Sequence, residues 1–167
     1  MTSHLLTSTR IMSLLAISAL MALTAAWVAQ YVFALFPCEL CLYQRLPYMG
    51  VVALAGLSTL PVVDAESRRL AAYIAALLFT ATAAIAFFHV GVEQEWWNAA
   101  CAPTDAAAFS VEDIRSALQQ PGQPACNDIP FTLFGISFAG YNVVAGLFLA
   151  GLALKAARTC NYWKSET

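Results

Sequence analysis

Cys38 and Cys41 stand in a Cys-Glu-Leu-Cys run, with Arg45 four residues after the second cysteine. Two residues between cysteines permit a tight, exchangeable disulfide, and such pairs commonly hold a thiol of lowered pKa. On a helix, Cys41 and Arg45 share a face. A guanidinium there stabilises a thiolate, and it offers donors to an oxygen of a bound group. An ionisable residue beside an apolar span is costly and points to function. The plain alternatives are an arginine that snorkels to the headgroups and a purely structural disulfide. No metal is expected: a structural zinc site takes four ligands, and no histidine is near in sequence. Covalent haem attachment needs a histidine where Leu42 stands.

Three further cysteines complete the set, Cys101, Cys126 and Cys160. Cys101 and Cys126 flank a polar segment, and a staple closing it is worth about 3 kcal/mol by loop entropy. Beside a membrane-edge Cys-x-x-Cys, exchange between the two pairs is the alternative, because a thiolate attacks any disulfide it can reach. His89 is placed either to donate a proton to a bound quinone or to form an ordinary interfacial hydrogen bond. Gln30 is a weaker quinone-contact candidate, with helix–helix hydrogen bonding the favoured reading.

The elements that position these residues follow from charge distribution. The chain has 167 residues, is 60% hydrophobic and 11% charged, and carries a net charge of -2. This is the composition of a membrane domain, without the basic footprint of a nucleic-acid binder. Ile11–Leu35, Leu46–Val63, Leu70–Val92 and Ile129–Leu154 contain no Asp, Glu, Lys or Arg. A spanning helix needs about 20 apolar residues, and backbone groups without water demand helices. The expectation is a single all-α membrane domain, a four-transmembrane-helix bundle with spans near 11–35, 43–63, 70–90 and 131–154. The first stretch is too long for a signal-peptide core of about 7–15 residues and lacks a convincing cleavage site.

Arg10, Arg68, Arg69, Lys155, Arg158 and Lys164 all fall on one face of such a bundle, whereas the loop Glu93–Asp128 carries six acids and Arg115. The positive-inside rule then puts both termini in the cytoplasm and loops 36–42 and 91–130 outside. Four cysteines share the oxidising side, and Cys160 lies where thiols stay reduced. Trp96 and Trp97 suit an interface. Ser110 and Asp113 resemble a helix start, so Val111–Gln120 is expected as a short helix lying on the membrane surface.

Pro37-Cys38-Glu39-Leu40-Cys41-Leu42-Tyr43-Gln44-Arg45, followed by Gly50, resembles the signature of the disulfide bond formation protein B (DsbB) family. Gln30, eight residues before the first cysteine, and Phe131-Thr132-Leu133-Phe134-Gly135 before the last span extend the resemblance over essentially the whole chain. His89 matches only approximately. The resemblance implies a bacterial inner-membrane enzyme that reoxidises a periplasmic DsbA-like thioredoxin-fold partner and passes electrons to ubiquinone or menaquinone. It implies that Cys38 and Cys41 exchange electrons with the quinone, with Cys41 the thiolate beside the ring. Arg45 would position the quinone, Cys101 would accept the partner's thiol, and Cys126 would resolve or relay.

Competing readings make different demands. In vitamin-K-epoxide-reductase-like enzymes the Cys-x-x-Cys follows the loop cysteines, whereas here it precedes them. A non-enzymatic scaffold or assembly factor would hold inert disulfides. A haem carrier would need paired axial ligands that His4 and His89 do not supply. A transporter would show inverted repeats or mid-membrane polar groups.

Overall fold

The computed structural model describes residues 2–97, 124–129, 131–159 and 163. Its elements are α1 (Thr2–Tyr31), α2 (Glu39–Leu57), α3 (Ala65–Glu93), a hairpin of β1 (Thr132–Leu133) and β2 (Ile136–Ser137), and α4 (Phe138–Arg158). All four helices are long and apolar enough to cross a membrane. The four-helix membrane bundle expected from the sequence is therefore present.

Caps and turns, more than the last charge, set the helix ends. Cys38 caps α2, its side chain accepting from the Cys41 N–H; Asp64 caps α3 through Ser67 N–H, and Ser137 caps α4 through Gly140 N–H. Each satisfies a donor that the first helical turn leaves open. The helix expected from 131 instead begins at Phe138. Thr132 pairs with Ser137 and Leu133 with Ile136 across a two-residue turn, in which Phe134 and Gly135 have φ of 51° and 77°. Left-handed backbone at both turn positions suits a tight hairpin and is incompatible with a continuing α-helix.

α3 is the central helix, packed against both α2 and α4, and α1 lies mainly against α2. Its buried face is built of small residues, Ala72, Ala75, Ala76, Ala83 and Ala86, around Phe79. Small residues let helix backbones approach closely without a hydrophobic drive between them. At Gly146 of α4 the approach is tightest: an added Cβ would stand 3.0 Å from Ala83 Cβ and 3.1 Å from the Phe79 carbonyl oxygen. The large apolar residues Leu14, Met21, Leu77, Phe87, Leu147 and Phe148 point outward and are exposed. In water such a surface would aggregate; facing lipid, it is at home.

At the end of the bundle where α2 turns into α3, Arg68 is buried, 2% exposed. It donates to the Ser58 carbonyl (2.9 Å), the Leu60 carbonyl (3.0 Å) and Ser8 Oγ (3.0 Å). Arg69 donates to the Ala157 carbonyl at 2.9 Å. These two arginines thus tie α1, the turn and α4 together.

Candidate active site at the Cys38–Cys41 end of the bundle

The opposite end gathers the chemistry, where α1 ends, α2 starts, α3 ends and α4 starts. Pro37 leads into Cys38, which is extended (φ -74°, ψ 171°), and the helix starts at the next residue. That geometry turns the Cys38 sulfur back over the first turn of α2. Cys41 N–H donates to Cys38 Sγ at 3.2 Å, and the two sulfurs are 2.7 Å apart, both cysteines being free. Cys38 is buried, and His89 Nε2 of α3 lies 3.5 Å from its sulfur.

These neighbours make the two thiols unequal. The thiol–thiol hydrogen bond with Cys41 is the main reason that the Cys38 thiol is held at about 4, against an ordinary 9.0. Burial opposes the shift, while His89 and the Cys41 N–H reinforce it. A sulfur that collects several donors favours its charged form. In this free dithiol the surroundings favour the thiolate at Cys38.

His89 is 3% exposed and belongs to a polar network inside the bundle. Its Nδ1 meets Gln44 Nε2 at 2.8 Å; Gln44 Oε1 accepts from Asn142 Nδ2 at 2.6 Å; Asn142 Oδ1 accepts from Tyr48 Oη at 2.6 Å. Thr82 Oγ1 donates to the Gln44 carbonyl at 2.9 Å and lies 3.4 Å from Asn142 Nδ2. On the other side of the ring, Glu93 Oε1 is 3.7 Å from His89 Nε2, and both side chains are almost wholly buried. Ser137 Oγ, already capping α4, donates to Glu93 Oε2.

A cavity of about 310 Å³ opens beside this cluster. Leu23, Ala26, Phe36 and Phe138 give it apolar walls, while Cys41, Arg45 and His89 supply polar groups. Arg45 does not simply reach for solvent: its Nη1 donates to Gln30 Oε1 of α1 at 2.7 Å. Gln30 is absent from the cavity wall. It acts as the helix–helix hydrogen bond that the sequence favoured for it, here fixing the arginine. The volume and lining suit a planar apolar ring carrying carbonyl oxygens, since small-molecule sites are mostly apolar with a few placed polar groups.

Cys126 enters from the segment before the hairpin. It is fully buried and packs with Cys38 and Val92, flanked by Leu40, Cys41 and Trp97. It is in a disulfide, and neither Cys38 nor Cys41 is its partner, both being free. Its main chain is also a hydrogen-bond neighbour of His89. The Trp97 ring fills the space over Gly91, stacks on Phe88 and donates to the Phe88 carbonyl at 2.9 Å. Cys101, the expected helix Val111–Gln120 and Cys160 lie outside the described residues.

Of the residues singled out from sequence, Cys38, Cys41, Arg45, His89 and Cys126 meet here, with Gln30 one contact away. Sequence reasoning missed Gln44, Tyr48, Thr82, Glu93, Ser137 and Asn142. The available signal was a polar residue within or at the edge of each of three spans, and without packing that signal does not say which residues meet. His89 likewise adds a nitrogen ligand beside two sulfurs, which sequence spacing had not placed near the pair.

A free thiol pair buried against a third, disulfide-bonded cysteine, at the mouth of an apolar cavity in a helical bundle, defines a multi-pass membrane thiol–disulfide protein. Comparison with known proteins agrees. The sequence model described as "Disulfide bond formation protein DsbB" matches residues 8–156, and the chain belongs to that family. Among curated relatives it is 28% identical over 134 residues to "Disulfide bond formation protein B" of Saccharophagus degradans, covering 78% of this chain and 81% of that one. It is 24% identical over 134 residues to "Uncharacterized protein RP370" of Rickettsia prowazekii, covering 78% and 76%. No solved structure matches significantly. Family membership supports a general role in disulfide-bond formation.

Proposed function

We propose that this protein is a quinone-dependent thiol–disulfide oxidoreductase of the bacterial inner membrane, which reoxidises a periplasmic DsbA-like thiol oxidase. The observation that carries this reading is the placement of the Cys38–Cys41 dithiol, with Arg45, on the wall of the 310 Å³ apolar cavity. The buried approach of Cys126 to Cys38 supports the other half of the route.

The chain's own groups account for each duty. The partner's dithiol attacks the disulfide of the outer-loop pair, proposed as Cys101–Cys126, with Cys101 the sulfur attacked. A mixed disulfide forms, and Cys126 leaves as a thiolate. Closure of the partner's own disulfide then releases it and leaves the loop pair reduced. The loop pair next reduces the Cys38–Cys41 disulfide by the same exchange, for which the contact between Cys126 and Cys38 supplies reach. Beside Cys41, Arg45 and His89, a ubiquinone or menaquinone would supply the terminal oxidant for the two electrons and two protons that Cys38 and Cys41 give up as they rejoin. Arg45, steadied by Gln30, orients a carbonyl oxygen and favours negative charge there. His89 Nε2, 3.5 Å from Cys38 Sγ, is close enough to exchange a proton with that sulfur. The apolar walls exclude water, which strengthens every charge interaction inside.

The test is spectrophotometric. Purified protein, with ubiquinone or menaquinone and a reduced DsbA-like protein, should consume the oxidised-quinone absorbance as the partner is oxidised. Cys41→Ser should abolish that change. A stable absorbance with both quinones would leave a membrane scaffold with structural disulfides as the better reading.

A further inference from the structure

The buried amides beside His89 have a direction, and it decides which ring nitrogen carries the proton. Thr82 Oγ1 has one hydrogen, and it is used on the Gln44 carbonyl oxygen at 2.9 Å, which can only accept. The Thr82 oxygen therefore faces Asn142 as an acceptor, so the group 3.4 Å away is the Asn142 NH₂. That leaves Asn142 Oδ1 to accept from Tyr48 Oη at 2.6 Å, and Asn142 Nδ2 to donate to Gln44 Oε1 at 2.6 Å. Gln44 then turns its own NH₂ to His89 Nδ1 at 2.8 Å. A nitrogen facing an amide donor has to be the bare one. The reversed order would set Asn142 Oδ1 against a Thr82 oxygen with no hydrogen left, in a site where unmatched polar groups are expensive.

We infer that Tyr48, Asn142 and Gln44 form a tautomer lock, positioning residues that leave His89 Nδ1 bare and set the ring proton on Nε2, pointed at Cys38 Sγ and Glu93. Protonating Nδ1 would set two donors face to face at 2.8 Å. His89 is then a fixed hydrogen-bond donor to the Cys38 thiolate. The ring's further partners are the Glu93 carboxylate, 3.7 Å from Nε2 and itself held by Ser137, and the Cys126 main chain. Contributions come from three helices, α2 (Gln44, Tyr48), α3 (Thr82, His89, Glu93) and α4 (Asn142), so the lock is complete only when the bundle is assembled. Its consequence for electron flow rests on the function proposed above; the tautomer itself does not.

The experiment reads the ring directly and needs no quinone. The chain has two histidines, His4 and His89, so histidine ¹⁵N labelling of the reduced, quinone-free protein, with His4→Gln for assignment, isolates the His89 signals. Long-range ¹H–¹⁵N correlation should show the Nε2–H tautomer, with Nδ1 unprotonated. Asn142→Leu and Thr82→Val should lose that signature to an average of the two tautomers. Gln44→Glu, which sets an acceptor against Nδ1, should convert the ring to an Nδ1–H form. A wild-type spectrum of the Nδ1–H tautomer, of the cation or of an averaged ring overturns the lock, whether or not any variant folds. A retained Nε2–H signature in folded Asn142→Leu and Thr82→Val would also overturn it. If the lock holds while quinone turnover is absent, the proposed function fails and the lock stands.

Discussion

Cys38 and Cys41 are separated by two residues and have unequal surroundings. Cys38 Sγ accepts from the Cys41 N–H and lies 3.5 Å from His89 Nε2, while the thiol contact of Cys41 among these is with Cys38 itself. The Cys38 thiol at about 4 should therefore ionise across the whole working range. Alkylation of Cys38 in the reduced, quinone-free protein should run at nearly the same rate at pH 8 and pH 6, and fall only as pH approaches about 4. An ordinary thiol would slow by about 100-fold between those two values, because only its thiolate reacts. A midpoint near the usual thiol range would remove the asymmetry. Arg45→Ala should raise the Michaelis constant for quinone by about 10-fold, the scale of one lost charge-assisted hydrogen bond. Gln30→Leu should give a smaller rise, since Gln30 only steadies the guanidinium. Steady-state kinetics at saturating partner separates these cases, and equal constants would return Arg45 to snorkelling. Cys38, Cys41 and Arg45 were legible because their relation is local, set by spacing along one helix. Gln44 and Asn142 were not, because they are 98 residues apart and each reads alone as an unremarkable polar residue in a span.

At the scale of elements, the charge-free stretches revealed four helices and blurred their ends. Apolar residues can continue a helix or enter a turn equally well; capping groups and left-handed backbone decide. Thus Phe131–Gly135 reads as part of an apolar span, yet Phe134 and Gly135 close a hairpin that sets Ser137 at the start of α4 and beside Glu93. Packing between elements was hidden for another reason. A glycine in a membrane helix is common, and only the neighbouring helix shows that Gly146 sits at a close approach. Gly146→Leu should push α4 from α3 at the Phe79 and Ala83 contact, destabilising the bundle by about 1–3 kcal/mol as for other overpacked cores. Gly151, with open space beside it, should accept the same change with little effect. Thermal unfolding in detergent compares the two; equal losses would place the cost in helix propensity or lipid contact and not in the interface.

The whole molecule has to choose a direction across the membrane, and its charges divide into two kinds. Six basic residues flank the spans on the side that the sequence assigns to both termini, which is the basis for proposing that side as cytoplasmic. The structure gives Arg68 a second duty, since its guanidinium satisfies two carbonyl oxygens of the α2–α3 turn and Ser8 of α1 while almost wholly buried. Orientation is a matter of summed charge in the flanks, whereas a buried guanidinium that satisfies acceptors is a matter of stability. Arg68→Ala should therefore separate the two. Leaving buried carbonyls unmatched costs about 1–3 kcal/mol each, so the variant should melt lower and accumulate less. Its direction should not change, because Arg10, Arg69, Lys155, Arg158 and Lys164 keep the bias. A fluorescent protein fused after the last residue, which matures only in the cytoplasm, should glow in both wild type and variant, with less total signal in the variant. An alkaline phosphatase at the same position, active only outside, should stay silent in both. Phosphatase activity in the wild type would invert the proposed topology, and put Cys38 and Cys41 on the side where no oxidising partner waits.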